Sequence, residues 1–390
     1  MDFDVAIVGA GPAGATAALN LASSHRVLLL DRWSGARPRI GESLPGAARR
    51  LLSDMGLWSG FLEDGHAPRH GLRGSWGGPE PVLRDALADP DGHGWHLDRA
   101  RFERRLRATA AVRGANVMAP ARIQWLTRDE HGWRLAVRGA GNGVEVTARL
   151  LIDAAGRGSN LSATRGARRV VADRLVCGWA RAARGALPSG VTQIEAEEGG
   201  WWYAAPLPDG GGLLAFHTDA DLPAARAGRS PTVLLHRARA LPMLGPLLQA
   251  GDWSGAIGGY CAAHSTWLDR PTGEGWIAVG DAALSFDPLA AQGLFNALYT
   301  GLAAAEACHR TLEGDCSAFL EIDDEHVTIA QTYRDHLAAW YALETRWSAN
   351  PFWSRRAVVR RHADVAGFTS SASPYRTSKP AVRRASTGST

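Results

Sequence analysis

Gly9-Ala10-Gly11-Pro12-Ala13-Gly14 is a GxGxxG run. Its glycines permit a tight turn in which backbone N–H groups at a helix N-terminus approach a pyrophosphate. Pro12 and Ala13 lie within that turn and are counted with its glycines as cofactor-binding. Asp31, with Arg32 after it, closes the next apolar run, and a carboxylate there can accept hydrogen bonds from ribose hydroxyls. The turn and its acid serve NAD as well as FAD. Other reactive residues are sparser. His264 stands shortly before an apolar run that ends in Gly280-Asp281, which makes it a candidate acid or base. Trp201 and Tyr203 share one face of an aromatic strand and Trp202 takes the other. The first two could line a pocket for an aromatic ring or pack a core. Cys177, Cys261, Cys308 and Cys316 have no CxxC spacing and no neighbouring histidine pair. Reduced thiols are expected, with no disulfide framework and no metal site.

These residues need a scaffold. Val5-Ala6-Ile7-Val8 reads as a strand buried on both faces of a parallel sheet, followed by an Ala-rich helix over 15–22 and a second buried strand over 27–30. Strand, turn, helix and strand make one βαβ unit. Residues 45–58 and 98–113 read as helices, 121–128 and 132–138 as a hairpin, and 150–153 as another buried strand ending in Asp153. Short strands separated by Gly and Pro are expected over 175–260, a buried strand over 275–281, and helices over 293–312 and 319–347. The expected organisation is an α/β nucleotide-binding domain from 1–75, 95–175 and 255–318. An antiparallel substrate sheet from 76–94 and 176–254 is inserted in it, C-terminal helices follow over 319–368, and a polar tail over 369–390 is disordered.

The chain has 390 residues, 45% of them apolar, which fits a globular protein and excludes a disordered one. Lys plus Arg number 43 against 39 Asp plus Glu, a net charge of +4 that does not mark a nucleic-acid binder. No basic segment precedes the first strand, and the apolar stretch 5–22 is short and broken by glycine, so a cytoplasmic protein without a membrane span is expected.

Further motifs carry a resemblance. Ile277 to Ala283, containing Gly280-Asp281, is followed by Asp287-Pro288 and Gln292-Gly293; Asp153 to Ser159 contains Gly156; Arg99 opens a helix. With the glycine turn, in this order, the chain resembles the FAD-dependent monooxygenases of the p-hydroxybenzoate-hydroxylase type. The resemblance implies a Rossmann-like parallel sheet of the glutathione-reductase kind and FAD as cofactor. It implies Arg99 near the diphosphate, Asp281 on the ribityl chain, and a helix after Gly293 aiming its positive end at the flavin. Ile40-Gly41-Glu42-Ser43-Leu44-Pro45 is similar to the segment beside the isoalloxazine in flavin-dependent halogenases. Those enzymes also carry a WxWxIP strand and an essential lysine. Here the strand is Trp201-Trp202-Tyr203-Ala204-Ala205-Pro206, and the one lysine is Lys379 in the tail. Glu344 to Trp347 and Asn350 to Arg356 resemble the flavoproteins that hydroxylate a protein tryptophan when tryptophylquinone amine dehydrogenases and amino-acid oxidases mature.

What the resemblance implies is hydroxylation of an electron-rich ring, indole or tryptophan, free or peptide-linked, through a flavin C4a-hydroperoxide. O2 would be the oxidant, and NAD(P)H or a separate flavin reductase the electron source. Tyr203 and His264 are the catalytic candidates; Trp201 and Tyr203 are the substrate-lining ones. Arg355-Arg356 and Arg360-Arg361 are a solvated helix face or a docking surface for an acidic partner. Three rivals share the architecture: a halogenase, a geranylgeranyl-reductase-like isoprenoid reductase, and a redox-inactive binding protein of the GDP-dissociation-inhibitor kind.

Overall fold

The computed structural model describes residues 1–35, 39–139, 143–184 and 187–357. The elements that matter to the site are, in chain order, β1 (Asp2–Val8), α1 (Pro12–Leu21), β2 (Val27–Leu30), β3 (Gly71–Ser75), α2 (Arg99–Val112), β4 (Asn116–Met118), β5 (Val144–Asp153), β6 (Leu175–Ala182), β7 (Val191–Glu197), β8 (Gly200–Pro206), β9 (Gly212–Asp219), β10 (Ile257–Ala262), β11 (Trp276–Ala278), α3 (Gly293–Leu312), α4 (Ala318–Leu343) and α5 (Pro351–Ala357). The first sheet runs β11-β5-β1-β2-β4 with parallel pairing throughout that path. All four residues of β2 are buried, as the continuous apolar run requires. Every residue of α1 except Asn20 is buried; its alanines let it lie between the sheet and α3. A Cβ on Gly301 of α3 would stand 2.4 Å from the Ala13 carbonyl oxygen, so the two helices meet backbone to backbone.

The second sheet has seven strands: β10-β6-β9-β8-β7-β3 and the strand Val82–Asp85. It is antiparallel except where β7 pairs with β3 in parallel. Its two faces bury different things. Trp202, Ala204, Leu214 and Phe216 face Leu234, Leu244 and Leu248, while Trp201, Ala215 and Cys177 face Tyr341, Phe352 and Trp353. The alternation read from Trp201-Trp202-Tyr203 therefore holds.

Three sequence expectations are corrected. Residues 231–250, expected as strands, contain helices Pro231–Ala238 and Leu244–Ala250. Ser230 caps the first through a hydrogen bond from the Val233 N–H, with Pro231 at the first helical position. The helix expected over 45–58 is two helices, Ala48–Asp54 and Trp58–Glu63, parted at Gly56, whose φ is +68°. The substrate sheet reaches beyond its expected bounds, since β3 and β10 pair into it although they were assigned to the nucleotide domain. The tail over 369–390, with Lys379, and Arg360-Arg361 lie outside the described residues.

Candidate functional site

The strands β11, β5 and β1 end side by side, each delivering one sequence motif to the same edge of the sheet. The chain leaves β1 toward β2 on one side and returns to β5 and β11 on the other. That is the switch point where a doubly wound sheet opens a crevice. Gly9 ends β1 at φ +105°, and a Cβ there would lie 2.2 Å from the Ala154 carbonyl oxygen just past β5. A Cβ on Gly14 would lie 1.9 Å from Gly9 oxygen, whereas Gly11 meets nothing within 4 Å. Two glycines close the turn and the third leaves it open. No side chain caps α1 or α3, so a bound anion can satisfy the first-turn N–H groups. Gly156, at φ +80°, and Gly293 also face open space. A dinucleotide fits this cradle.

The second motif closes on the first. Gly280, at φ +55°, sits where a Cβ would be 2.9 Å from the Ala13 side chain, and its N–H donates to Thr300 Oγ1 at 2.9 Å. Asp281 keeps a partly exposed carboxylate 3.7 Å from the Arg157 guanidinium. Pro288 lies in a single 3₁₀ turn and Gln292 precedes α3. Between them Ala291 holds φ +51°, the one non-glycine with positive φ among the described residues. Such strain persists where the surroundings over-determine it.

Several of the expected cofactor residues also hold the loops around the crevice. Asp31 accepts from the Ala10 and Trp33 N–H groups at 2.9 and 2.8 Å and pairs with Arg107 at 3.1 Å. Arg32 is exposed, with its guanidinium over the Trp33 ring. Asp153 is buried and accepts from Ser159, Ser162 and the Ala155 N–H, which fixes the 154–162 loop. Arg99 donates to the carbonyls of Ile40 and Gly41 and pairs with Glu103 at 2.7 Å. The arginine of that helix which reaches the glycine turn is Arg107, donating to Ala10 oxygen at 2.6 Å. Residues 99, 103 and 107 recur every fourth position on one face of α2, a spacing from which Arg107 could have been found.

A buried polar cluster joins the 40–44 loop to the second sheet. Tyr203 donates to Glu42 Oε1 at 2.6 Å, and the Gly41 N–H donates to Oε2 at 2.9 Å. Burial pushes the Glu42 carboxyl above its ordinary range, only partly offset by these donors. Ser43 pairs with His96 in a short ladder, and the His96 ring meets Thr192 Oγ1 at 2.8 Å. Burial, assisted by the Arg69 charge, drives His96 down to about 3, so it is neutral.

The other expected residues stand apart from this cluster. Trp201 is 1% exposed, stacks on His217 at 3.8 Å and donates to Tyr341 oxygen at 3.1 Å. It packs a core with Tyr341, Phe352 and Trp353. His264 contributes its main-chain carbonyl to Arg157, and burial lowers its ring pKa.

Asp287, named in the sequence only as part of the second motif, is a buried acid that the sequence did not single out. It is 1% exposed, accepts from the Tyr341 hydroxyl at 2.8 Å and the Leu289 N–H at 2.9 Å, and donates its own N–H to Tyr333 oxygen at 2.7 Å. Burial raises its carboxyl from 3.8 to about 6, against the pull of Arg356. Asp287, Tyr333, Tyr341 and Trp267 line a cleft of about 710 Å³ that also takes in Asp219 and Arg355. Arg355 and Arg356 are both ion-paired to Asp219, and Arg355 also to Asp221, so neither is a free cation. Among the described residues no cluster of His, Cys, Asp and Glu could hold a metal, and no helix is long and apolar enough to cross a membrane.

The family of FAD binding domains matches residues 2–235, the stretch that holds the glycine turn, Asp31 and the end of β5. The chain belongs to this FAD-binding family. It is an FAD-dependent oxidoreductase of the flavin halogenase and monooxygenase type. LodB of Marinomonas mediterranea is 30% identical over 363 residues, covering 91% of this chain and 96% of LodB. The myxobacterial chondrochloren halogenase CndH superposes with a TM-score of 0.82 at 25% identity, over 93% of this chain and 87% of CndH. The peptidyl tryptophan dihydroxylase QhpG shares the fold with a TM-score of 0.73 at 24% identity, over 91% and 79% of the two chains.

Proposed function

We propose that this flavoprotein hydroxylates an electron-rich aromatic ring, the indole of a tryptophan carried by a peptide or protein. The observation that carries the reading is a halogenase architecture without its lysine. CndH aligns over nearly the whole chain, yet the sequence holds a single lysine, Lys379, and Tyr203 stands where the halogenase strand has its second tryptophan. Among the described residues no lysine is present to hold hypohalous acid, so oxygen goes to the ring directly. QhpG, on the same fold, is a peptidyl tryptophan dihydroxylase required for tryptophylquinone biogenesis, which supports a peptide-borne substrate.

FAD, reduced by NAD(P)H or by a separate flavin reductase, supplies activated oxygen from O2. The chain's own residues do the rest. Gly9, Gly11 and Gly14 would seat the diphosphate at the start of α1, with Asp31 the candidate acceptor for the adenosine ribose. Asp281 would hold the ribityl chain, and the uncapped start of α3 would stabilise negative charge near its N–H groups. Residues 40–44 would run beside the flavin ring, with Arg99 clamping their backbone. Tyr203 donates to Glu42 across 2.6 Å, and the pair would orient the substrate; Asp287, whose carboxyl is raised to about 6, would accept the proton that the ring loses. The packed aromatic face of β8 and α5 keeps water out.

The test supplies the FAD-loaded protein with reductant, O2 and a tryptophan-containing peptide, with and without chloride. Oxygen incorporation independent of chloride is expected. Chloride-dependent mass gain would restore the halogenase reading. Anaerobic reduction of a prenylated quinone would favour a reductase instead, the chemistry of the menaquinone reductase of Mycobacterium tuberculosis, which is 29% identical over 322 residues.

A further inference from the structure

Cys177 and Cys261 lie 84 positions apart in sequence, but β6 and β10 bring them together as directly opposed residues of an antiparallel pair. Opposed residues present their side chains on the same face, with Cα atoms about 4.5–5.5 Å apart. A disulfide spans about 4.4–6.8 Å between Cα atoms. The backbone is thus already at bridging distance, although both thiols are free.

The two positions are unequal in a way that suits a two-step oxidation. Cys177 is wholly buried against Leu175, Ile194 and Trp201. Cys261 sits on β10, the edge strand of the sheet, and is only partly buried. Burial pushes the Cys177 thiol well up. The Cys177 thiol beside it and the Arg157 guanidinium pull Cys261 below its ordinary value. An accessible, thiolate-prone sulfur next to a protonated, sheltered one is the arrangement of an attacking and a resolving cysteine. The pair also sits within reach of the site's charges: Glu42 acts on Cys177 and Arg157 on Cys261, and Arg157 spans His264, Phe286 and Asp281. Any flavoprotein that handles O2 meets hydrogen peroxide when turnover is uncoupled.

We propose that Cys177 and Cys261 form a peroxide-driven disulfide at the edge of the substrate sheet. The Cys261 thiolate attacks one oxygen of hydrogen peroxide; the O–O bond breaks, giving a Cys261 sulfenic acid and hydroxide. The Cys177 thiol then attacks that sulfur, the S–O bond breaks, and water leaves with the proton from Cys177. Two thiols and one peroxide become one disulfide and two waters. The sulfurs are oxidised and the peroxide oxygens reduced, and the bond ties β10 to β6. An external dithiol reverses it.

The experiment uses the FAD-loaded full chain and added hydrogen peroxide, so it does not depend on the hydroxylation reading. Thiols are alkylated after increasing exposure, and the peptides carrying Cys177, Cys261, Cys308 and Cys316 are quantified by mass spectrometry. Cys177 and Cys261 should lose alkylation together and several-fold faster than the exposed Cys316. A cross-linked peptide pair should appear and dithiothreitol should remove it. In Cys177→Ser, dimedone should label Cys261. Oxidation of Cys316 while Cys177 and Cys261 remain alkylated would overturn the proposal, as would modification of either one without the cross-link. The unmutated protein carries the main readout, so a variant that folds poorly leaves the answer intact.

Discussion

Asp287→Asn isolates the buried acid at the end of the cleft. The side chain keeps its shape and one acceptor oxygen, but loses its ionisation. Burial raises the wild-type carboxyl from 3.8 to about 6. At 1.36 kcal/mol per unit, the ionised form costs the folded state about 3 kcal/mol relative to the unfolded chain. The sign follows from the upward direction. The stabilisation is complete below the unfolded value near 3.8 and is lost as pH rises through about 6. Wild-type stability should therefore fall by about 3 kcal/mol across that window through this group alone, and the Asn variant should lack that component. The variant also weakens the hydrogen bond from Tyr341, a pH-independent loss of about 1 kcal/mol. Urea unfolding of both proteins at a series of pH values between 4 and 8 separates the two, because only the first changes with pH. Parallel stability curves over that window would refute the account of Asp287 as a carboxyl titrating near neutrality.

Three further outcomes are expected. Gly9→Ala places a methyl group 2.2 Å from Ala154 oxygen at φ +105°; the protein should purify with little FAD and lose at least about 1–3 kcal/mol of stability, measured by flavin absorbance and urea unfolding. Asp281→Ala removes a partly exposed carboxylate that bears no core packing, so FAD occupancy should fall while unfolding stays nearly unchanged; full occupancy would move the ribityl contact elsewhere. Tyr203→Phe takes away the 2.6 Å donor to Glu42, leaves a buried carboxyl oxygen short of a partner at a cost of about 1–3 kcal/mol, and raises the Glu42 carboxyl further. Product formation should drop more than flavin content, and unchanged turnover would return Tyr203 to the core.

What could be read in the chain were the features set by neighbours in sequence. The tight glycine turn, the buried run of β2, and the side alternation of Trp201, Trp202 and Tyr203 each depend on local geometry, and the backbone stands there as read. What the sequence concealed are contacts between distant residues. Asp287 meets Tyr341 54 positions away, and Trp201 meets the same tyrosine from 140 positions away. No periodicity links them, because the contact exists only once α4 and α5 fold back over the sheet. Cys177 and Cys261 are likewise joined only by strand register. The helices over 231–250 were hidden for another reason. Glycine and proline flank them as they flank short strands, and the capping signal of Ser230-Pro231 lies within that noise.

A crystal structure of the FAD-loaded protein tests the central claim most directly. The flavin ring should lie between the Gly9–Gly14 turn and the first turn of α3, flanked by residues 40–44 and facing β8. Density for the ring on the far side of the sheet, or a crevice filled by the side chains that border it, would contradict the account.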